Sequence, residues 1–314
     1  MLSTAPDCCG KHDAPRATDA GAMTLPLTPS TRSAEPDLPP LREVIRHYGL
    51  RADKKLGQHF LTDPNILGRI VASAGDLAGK VVVEVGPGPG GLTRFILRAA
   101  PRRLTVIEQD RRCLAALHDL DGFFPGVIKI IEGDARRQDT GTLAGGDKLI
   151  LISNLPYNVG TELLLGWLGE LDVFERLVLM FQKEVALRLT SRPGEDAWGR
   201  LAVLAQTLCD VERLFDLPAS AFVPPPKVES SVVRFDPRPD RPAQAFTVQL
   251  GRVTQAAFGQ RRKMLRSALR TLLPEPELLL EEAGIMSTRR AEELSLAEFH
   301  NLTRLYMQRL DGRP

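Results

Sequence analysis

Apolar positions recur along this chain with two different periods, and the changes between them mark out its elements. Leu41, Val44, Ile45 and Tyr48 fall on one helical face, which Gly49 ends. Asp63 followed by Pro64 predicts a second helix start. An aspartate there accepts from the first free N–H groups, and proline is tolerated at the first helical position. Ile66, Leu67, Ile70 and Val71 give that helix its buried stripe. Short continuous apolar runs follow at 81–85, 104–108, 127–131, 148–152 and 177–181, and each predicts a buried strand. Helical patterns near 92–100 and 111–120 separate the first three. Alternation of this kind predicts an α/β fold around a doubly wound parallel sheet. A late strand is expected at 230–235, after the stiff Pro224-Pro225-Pro226 segment, and from about residue 246 the signals are helical only. Trp167, Trp198 and Phe246 read as core, and Cys113 and Cys209 fall in helical patterns as buried thiols.

Composition narrows the class. Hydrophobic content of 43% and charged content of 25% are ordinary for a soluble globular protein, and 314 residues suffice for two cores. No apolar run approaches the roughly 20 residues that span a bilayer, so no membrane partner is expected. The four cysteines have no metal-ligand spacing, which predicts a reducing compartment and no metal. Residues 1–38 are rich in Pro, Ala, Thr, Ser and Asp and lack apolar periodicity, so they read as a disordered extension, with Met23 an alternative start. That stretch lacks the apolar segment of a secretory signal, and its acids outnumber its Lys and Arg. Both features favour the cytoplasm of a bacterium. The expected division is then 39–239 as an α/β domain and 240–314 as a small helical domain.

A net charge of +2 does not by itself indicate a polyanionic partner, but the distribution of charge does. Residues 241–273 contain no Asp or Glu, while Arg261, Arg262, Lys263, Arg266 and Arg270 crowd within them. Lys54 and Lys55 add a basic loop near the start of the folded region. These seven are candidate phosphate contacts. A solvated helix face is the competing explanation for such a run.

Chemistry-bearing residues gather at strand ends, where open α/β sheets bind ligands. Gly86-Pro87-Gly88-Pro89-Gly90-Gly91 follows the first strand and opens a helix. The spacing fits the dinucleotide fingerprint, with Glu108 some 20 residues on as a ribose ligand. Pro87 and Pro89 lack the N–H groups a pyrophosphate wants, which favours a nucleoside without phosphates. Asp134 ends the third strand and can accept from an adenine amine, or can serve as a turn aspartate. Ser153-Asn154-Leu155-Pro156-Tyr157-Asn158 ends the fourth. It offers an amide oxygen, backbone carbonyls on a proline-stiffened turn and an aromatic face, which together can hold a planar base and accept from its amine.

The chain resembles the ribosomal small-subunit RNA adenine dimethyltransferase family from about Leu41 to Tyr306. The blocks that carry the likeness are Lys55 through Leu61, Val83 through Gly88, Asn154 through Asn158, Gln182 through Val185, Phe222 through Val228 and Phe258 through Lys263. The resemblance implies a Rossmann-like class I methyltransferase sheet with a small C-terminal helical domain that contacts RNA. It implies S-adenosylmethionine as cofactor, held by His59, Leu61, Gly86, Glu108, Asp134 and Asn154. Position 59 is often asparagine in the family, so His59 replaces that contact with a ring nitrogen or keeps it through backbone. The expected reaction dimethylates the N6 amines of two adjacent adenosines near the 3′ end of small-subunit rRNA, during assembly of the small ribosomal subunit. Asn154 and Leu155 would accept the amine hydrogens on the turn stiffened by Pro156. Tyr157 would stack on one face of the base, and Phe222 would cover the other. No partner beyond the immature small subunit is required, and a monomer suffices. The competing readings are a large-subunit rRNA methyltransferase of the macrolide-resistance type, a non-catalytic ribosome-assembly factor on the same fold, and an NAD-dependent dehydrogenase.

Overall fold

The computed structural model describes residues 37–53, 56–260 and 262–311. The expected disordered extension lies outside them except for its last two residues, as do Lys54, Lys55 and Arg261.

Nine strands run in chain order: β1 (Phe60–Leu61), β2 (Val81–Val85), β3 (Arg103–Glu108), β4 (Ile128–Glu132), β5 (Leu149–Asn154), β6 (Phe174–Gln182), β7 (Cys209–Leu217), β8 (Phe222–Val223) and β9 (Ser230–Pro237), counted among the described residues. Seven form one sheet in the order β4-β3-β2-β5-β6-β9-β7. The first five are mutually parallel. From β2 the chain winds outward through β3 and β4, then returns to place β5 on the other side of β2. That reversal opens a crevice at the carboxyl ends of β2 and β5, where doubly wound sheets bind ligands.

Every residue of β2 is buried. Val81, Val83 and Val85 join the core on one face, together with Leu149, Leu151 and Leu164. Val82 joins the core on the other face with Leu104, Val106, Ile150 and Ile152. Helices on both faces explain why these strands read as unbroken apolar runs rather than as alternation. Burying each such side chain stabilises the fold by roughly 1.5–3 kcal/mol.

The expected helix start is present in the helix Pro64–Ala72. Asp63 Oδ1 accepts from the N–H groups of Asn65 at 2.9 Å and Ile66 at 3.1 Å. Leu67, Ile70 and Val71 are its buried stripe.

The sheet departs from the expectation at one edge. β9 runs antiparallel to β6, and β7 antiparallel to β9. Cys209 opens β7 and is therefore in a strand, not a helix, although it and Cys113 are both buried free thiols. β7 is an edge strand carrying Asp210, Glu212, Arg213 and Asp216, the charged dressing that protects an open edge and also hides its period.

The helices Gln244–Gly259, Pro276–Glu282 and Leu296–Asp311 share a core that takes in Trp198, Ala202 and Val203. Trp198 is fully buried and its Nε1 donates to the Leu294 carbonyl at 3.0 Å. Trp167 is also buried, and Phe246 is partly buried against the same helical core.

Candidate active site

The crevice is built from four neighbouring strand ends. After β2 the chain turns sharply at Gly86, whose φ of +68° favours glycine. The Gly86 N–H donates to the Ile107 carbonyl at 2.9 Å and ties the loop to β3. Two residues later the Gly88 N–H donates to Glu108 Oε2 at 2.9 Å, while the Asp110 N–H donates to Glu108 Oε1 at 2.8 Å. Glu108 is 3% exposed, so its rotamer is fixed by these two bonds. Each oxygen keeps a further lone pair, the arrangement needed to accept a pair of vicinal hydroxyls. Burial raises its pKa, and the backbone donors pull it back.

At the end of β4, Asp134 caps the turn Ala135–Arg137 by accepting from the Arg136 N–H at 2.9 Å. The Arg136 guanidinium grips the same carboxylate at 2.6 Å and reaches Glu162 at 3.3 Å. That guanidinium holds the Asp134 carboxyl below its ordinary range. Asp134 is thus both the turn aspartate and a residue of the crevice.

At the end of β5, Ser153 Oγ donates to the Val85 carbonyl at 2.6 Å and locks β5 to β2. Asn154 Nδ2 donates to the His59 carbonyl at 3.2 Å. The carboxamide is therefore oriented by its nitrogen, and its oxygen remains free to accept. Leu155 is buried, and the ring of Pro156 lies 3.7 Å from where a Cβ on Gly86 would sit. The Tyr157 hydroxyl is 2.5 Å from Ser230 Oγ on β9, which fixes the phenol ring.

His59, Leu61, Gly86, Glu108, Asp134 and Asn154 line one pocket, together with Leu155, Pro156 and Tyr157. His59 is engaged within the protein through both its backbone and its ring. Its backbone oxygen receives Asn154. Its Nδ1 lies 2.8 Å from the Pro224 carbonyl and must carry the proton, because a carbonyl can only accept. Its ring centroid is 5.4 Å from that of Tyr157, tilted by 32°.

Phe222 is the base-handling candidate that the structure does not bring into this pocket. It pairs with Leu61 across the β1–β8 ribbon, is 1% exposed, and belongs to the core. Its neighbour Val223 faces out instead, at 51% exposed. In this structure the ring beside Tyr157 is His59. The basic candidates among the described residues are not part of this pocket's lining. Arg262, Lys263, Arg266 and Arg270 are all exposed at and after the end of the helix Gln244–Gly259, and Arg270 lies 3.6 Å from Glu277.

Two pocket residues escaped the sequence reading. Arg136 carried no signal beyond following an aspartate. Glu84 carried one: a carboxylate inside an apolar strand two residues before the first glycine. Glu84 is 1% exposed, and its Oε2 has no hydrogen-bond partner. Burial pushes its pKa up to about 8, with Thr93 offsetting part of the effect and the charge of Glu108 adding to it. A buried carboxylate with an orphan oxygen fits a ligand that brings positive charge.

Comparison with known proteins gives a consistent result. The family pattern described as ribosomal RNA adenine dimethylase matches residues 49–308. A protein named ribosomal RNA small subunit methyltransferase A from Mesorhizobium japonicum is 52% identical over 274 residues, covering 85% of this chain and 97% of that one. The protein of the same name from Rhodospirillum rubrum is 49% identical over 282 residues, covering 90% and 97%. Among solved structures, a dimethyladenosine transferase from Plasmodium falciparum aligns with a TM-score of 0.67 at 24% identity, covering 78% of this chain and 96% of that one. The 23S rRNA methyltransferase ErmE aligns at 0.61 and 23%, covering 79% and 100%. At that identity both structures speak for the fold alone.

Proposed function

The chain belongs to the ribosomal RNA adenine dimethylase family, and from that premise we propose that it dimethylates the N6 amines of two adjacent adenosines near the 3′ end of small-subunit rRNA. The observation that carries the mechanism is the bond from Asn154 Nδ2 to the His59 carbonyl. It leaves the amide oxygen as an acceptor in a pocket that Leu155 and Tyr157 also line.

The residues present fit S-adenosylmethionine, the cofactor of this family. Glu108 has acceptor capacity left for ribose hydroxyls, and Asp134, its carboxylate held in place by Arg136, would accept from an adenine amine. The orphan oxygen of Glu84 suits a cationic group. S-adenosylmethionine supplies, when bound, a methyl group on a positively charged sulfur. The chain does the rest by orientation. An adenine amine is a weak nucleophile because its lone pair is delocalised into the ring. Asn154 Oδ1 and the Leu155 carbonyl accept its two hydrogens and draw the nitrogen towards tetrahedral geometry, aiming the lone pair into the pocket. Tyr157 supplies a stacking face that is already fixed by Ser230. Extruding the base from the RNA costs a few kcal/mol, and stacking on an aromatic returns about 1–3 kcal/mol. Holding the reactants in a near-attack geometry accounts for the remaining acceleration. The product ammonium is acidic and loses its proton to water, so no general base is required.

Residues 39–239 would carry the chemistry and 240–314 would contact RNA, with Arg262, Lys263 and Arg266 at that contact. We place the enzyme in the cytoplasm as a monomer that works without a metal. Identity near 50% with small-subunit methyltransferases favours the small subunit over the large. The complete strand-end set argues against a factor that has lost catalysis, and the two prolines of the glycine loop argue against a dinucleotide. The test is methyl transfer from labelled cofactor to undermethylated small subunits and, separately, to large subunits. Label in the small subunits supports this reading; label confined to the large subunits overturns it.

A further inference from the structure

A second cavity of about 430 Å³ shares Leu67 and Gly91 with the lining of the first pocket and is walled by residues 38–42, 62–64 and 220–221 and by the helix Gly91–Arg98. Three guanidinium side chains line it: Arg42, Arg94 and Arg98. Among the described residues its single acidic lining residue is Asp63, whose Oδ1 is committed to the helix cap described above.

Arg94 is the unusual member. It is 7% exposed. Its Nη1 donates to the Pro39 carbonyl, and its Nε has no partner. No carboxylate among the described residues pairs with it, and the charge of Arg98 repels it. Burying an unpaired cation costs several kcal/mol after relaxation, so buried arginines are normally paired. A cation kept in this condition at the wall of an open cavity marks a place where an anion completes the structure.

The cavity also adjoins the site of chemistry through the chain. Thr62 and Ala221 stand directly next to Leu61 and Phe222, the residues of the β1–β8 ribbon. The Thr62 N–H donates to the Ala221 carbonyl at 3.4 Å. The proposed substrate is a polyanion, and its phosphates would pass this ribbon whenever a nucleotide enters the pocket. We infer that the Arg42–Arg94–Arg98 cavity is a binding site for a backbone phosphate of the RNA substrate, close to the modified nucleotides. The inference rests on the rRNA reading given above. Guanidinium groups suit it because they offer forked donors to phosphate oxygens and keep their charge.

The test uses the full chain and a single-stranded RNA fragment of the small-subunit 3′ end, with affinity measured across a salt series. Wild type is compared with Arg94→Gln, Arg42→Gln and Arg98→Gln. The last two side chains are exposed, so their loss does not threaten folding. Losing one phosphate contact lowers the slope of log affinity against log salt by about 0.7 and weakens binding several-fold at fixed salt. Cofactor affinity should stay at the wild-type value in all three. Inorganic phosphate, compared with chloride at equal ionic strength, should raise the melting temperature of wild type and not of Arg94→Gln. An unchanged salt slope in Arg42→Gln and Arg98→Gln overturns the site, and stabilisation by free phosphate without a change in slope overturns its assignment to RNA. Methylation of small subunits by the same wild-type preparation separates these failures from failure of the rRNA reading.

Discussion

Replacing Glu108 with Gln changes one atom of the side chain and removes its charge. Both carboxylate oxygens now accept a backbone N–H, from Gly88 at 2.9 Å and from Asp110 at 2.8 Å. Whichever way the introduced amide turns, its NH₂ must face one of those donors. One backbone bond is lost, and one acceptor for a ribose hydroxyl becomes a donor. A hydrogen bond to a charged group contributes about 1.5–3 kcal/mol, which corresponds to roughly 10- to 100-fold in affinity. Isothermal titration of Glu108→Gln with S-adenosylmethionine should show a dissociation constant raised by about that factor, with turnover at saturating cofactor close to wild type. A constant within about threefold of wild type, from protein with an unchanged melting curve, would refute the assignment of Glu108 to the cofactor ribose.

Two further outcomes follow from buried atoms at the same strand ends. Glu84, with a folded-state pKa of about 8 against an ordinary value near 4.5, binds its proton more tightly folded than unfolded. Its contribution is therefore fully present below pH 4.5 and is lost as pH rises through about 8. Cofactor-free protein should melt lower at pH 8 than at pH 5.5, and Glu84→Gln should flatten that dependence. An equal slope in the variant would show that Glu84 is not the group responsible. Gly90 has a φ of +83°, and a Cβ there would lie 2.5 Å from Leu120 Cδ1. Left-handed strain and overpacking together should cost Gly90→Ala about 2–4 kcal/mol, or on the order of 5–10 °C in melting temperature. A calorimetric shift under 2 °C would mean the glycine turn relaxes freely.

Much of this site was legible because it sits where strand periodicity stops. The apolar runs located β2, β3, β4 and β5 to within about two residues, so the polar residues that end or follow them were placed together at the carboxyl ends of the strands. Glu108, Asp134 and Asn154 needed no more than that. What stayed hidden depended on partners distant in sequence. β7 was missed because a charged edge strand has little hydrophobic pattern to read. β1 and β8 have two residues each, too short for any period. Their pairing turns Phe222 into the core and seats the His59 carbonyl on Asn154. A motif gives the type of residue 222, but only the register of the ribbon decides which way it faces. The isolation of Arg94 was likewise invisible, since an absent carboxylate leaves no mark on the sequence.

The central claim is that the β5 end positions an adenosine amine for methylation. Single-turnover transfer to undermethylated small subunits, read as N6,N6-dimethyladenosine, tests it directly with wild type and Asn154→Ala side by side. Loss of one preorganised hydrogen-bond partner in a reacting site costs about 100- to 1,000-fold. The account predicts a fall of that size in Asn154→Ala, with small-subunit binding retained. Dimethylation by Asn154→Ala at a rate near wild type would contradict it.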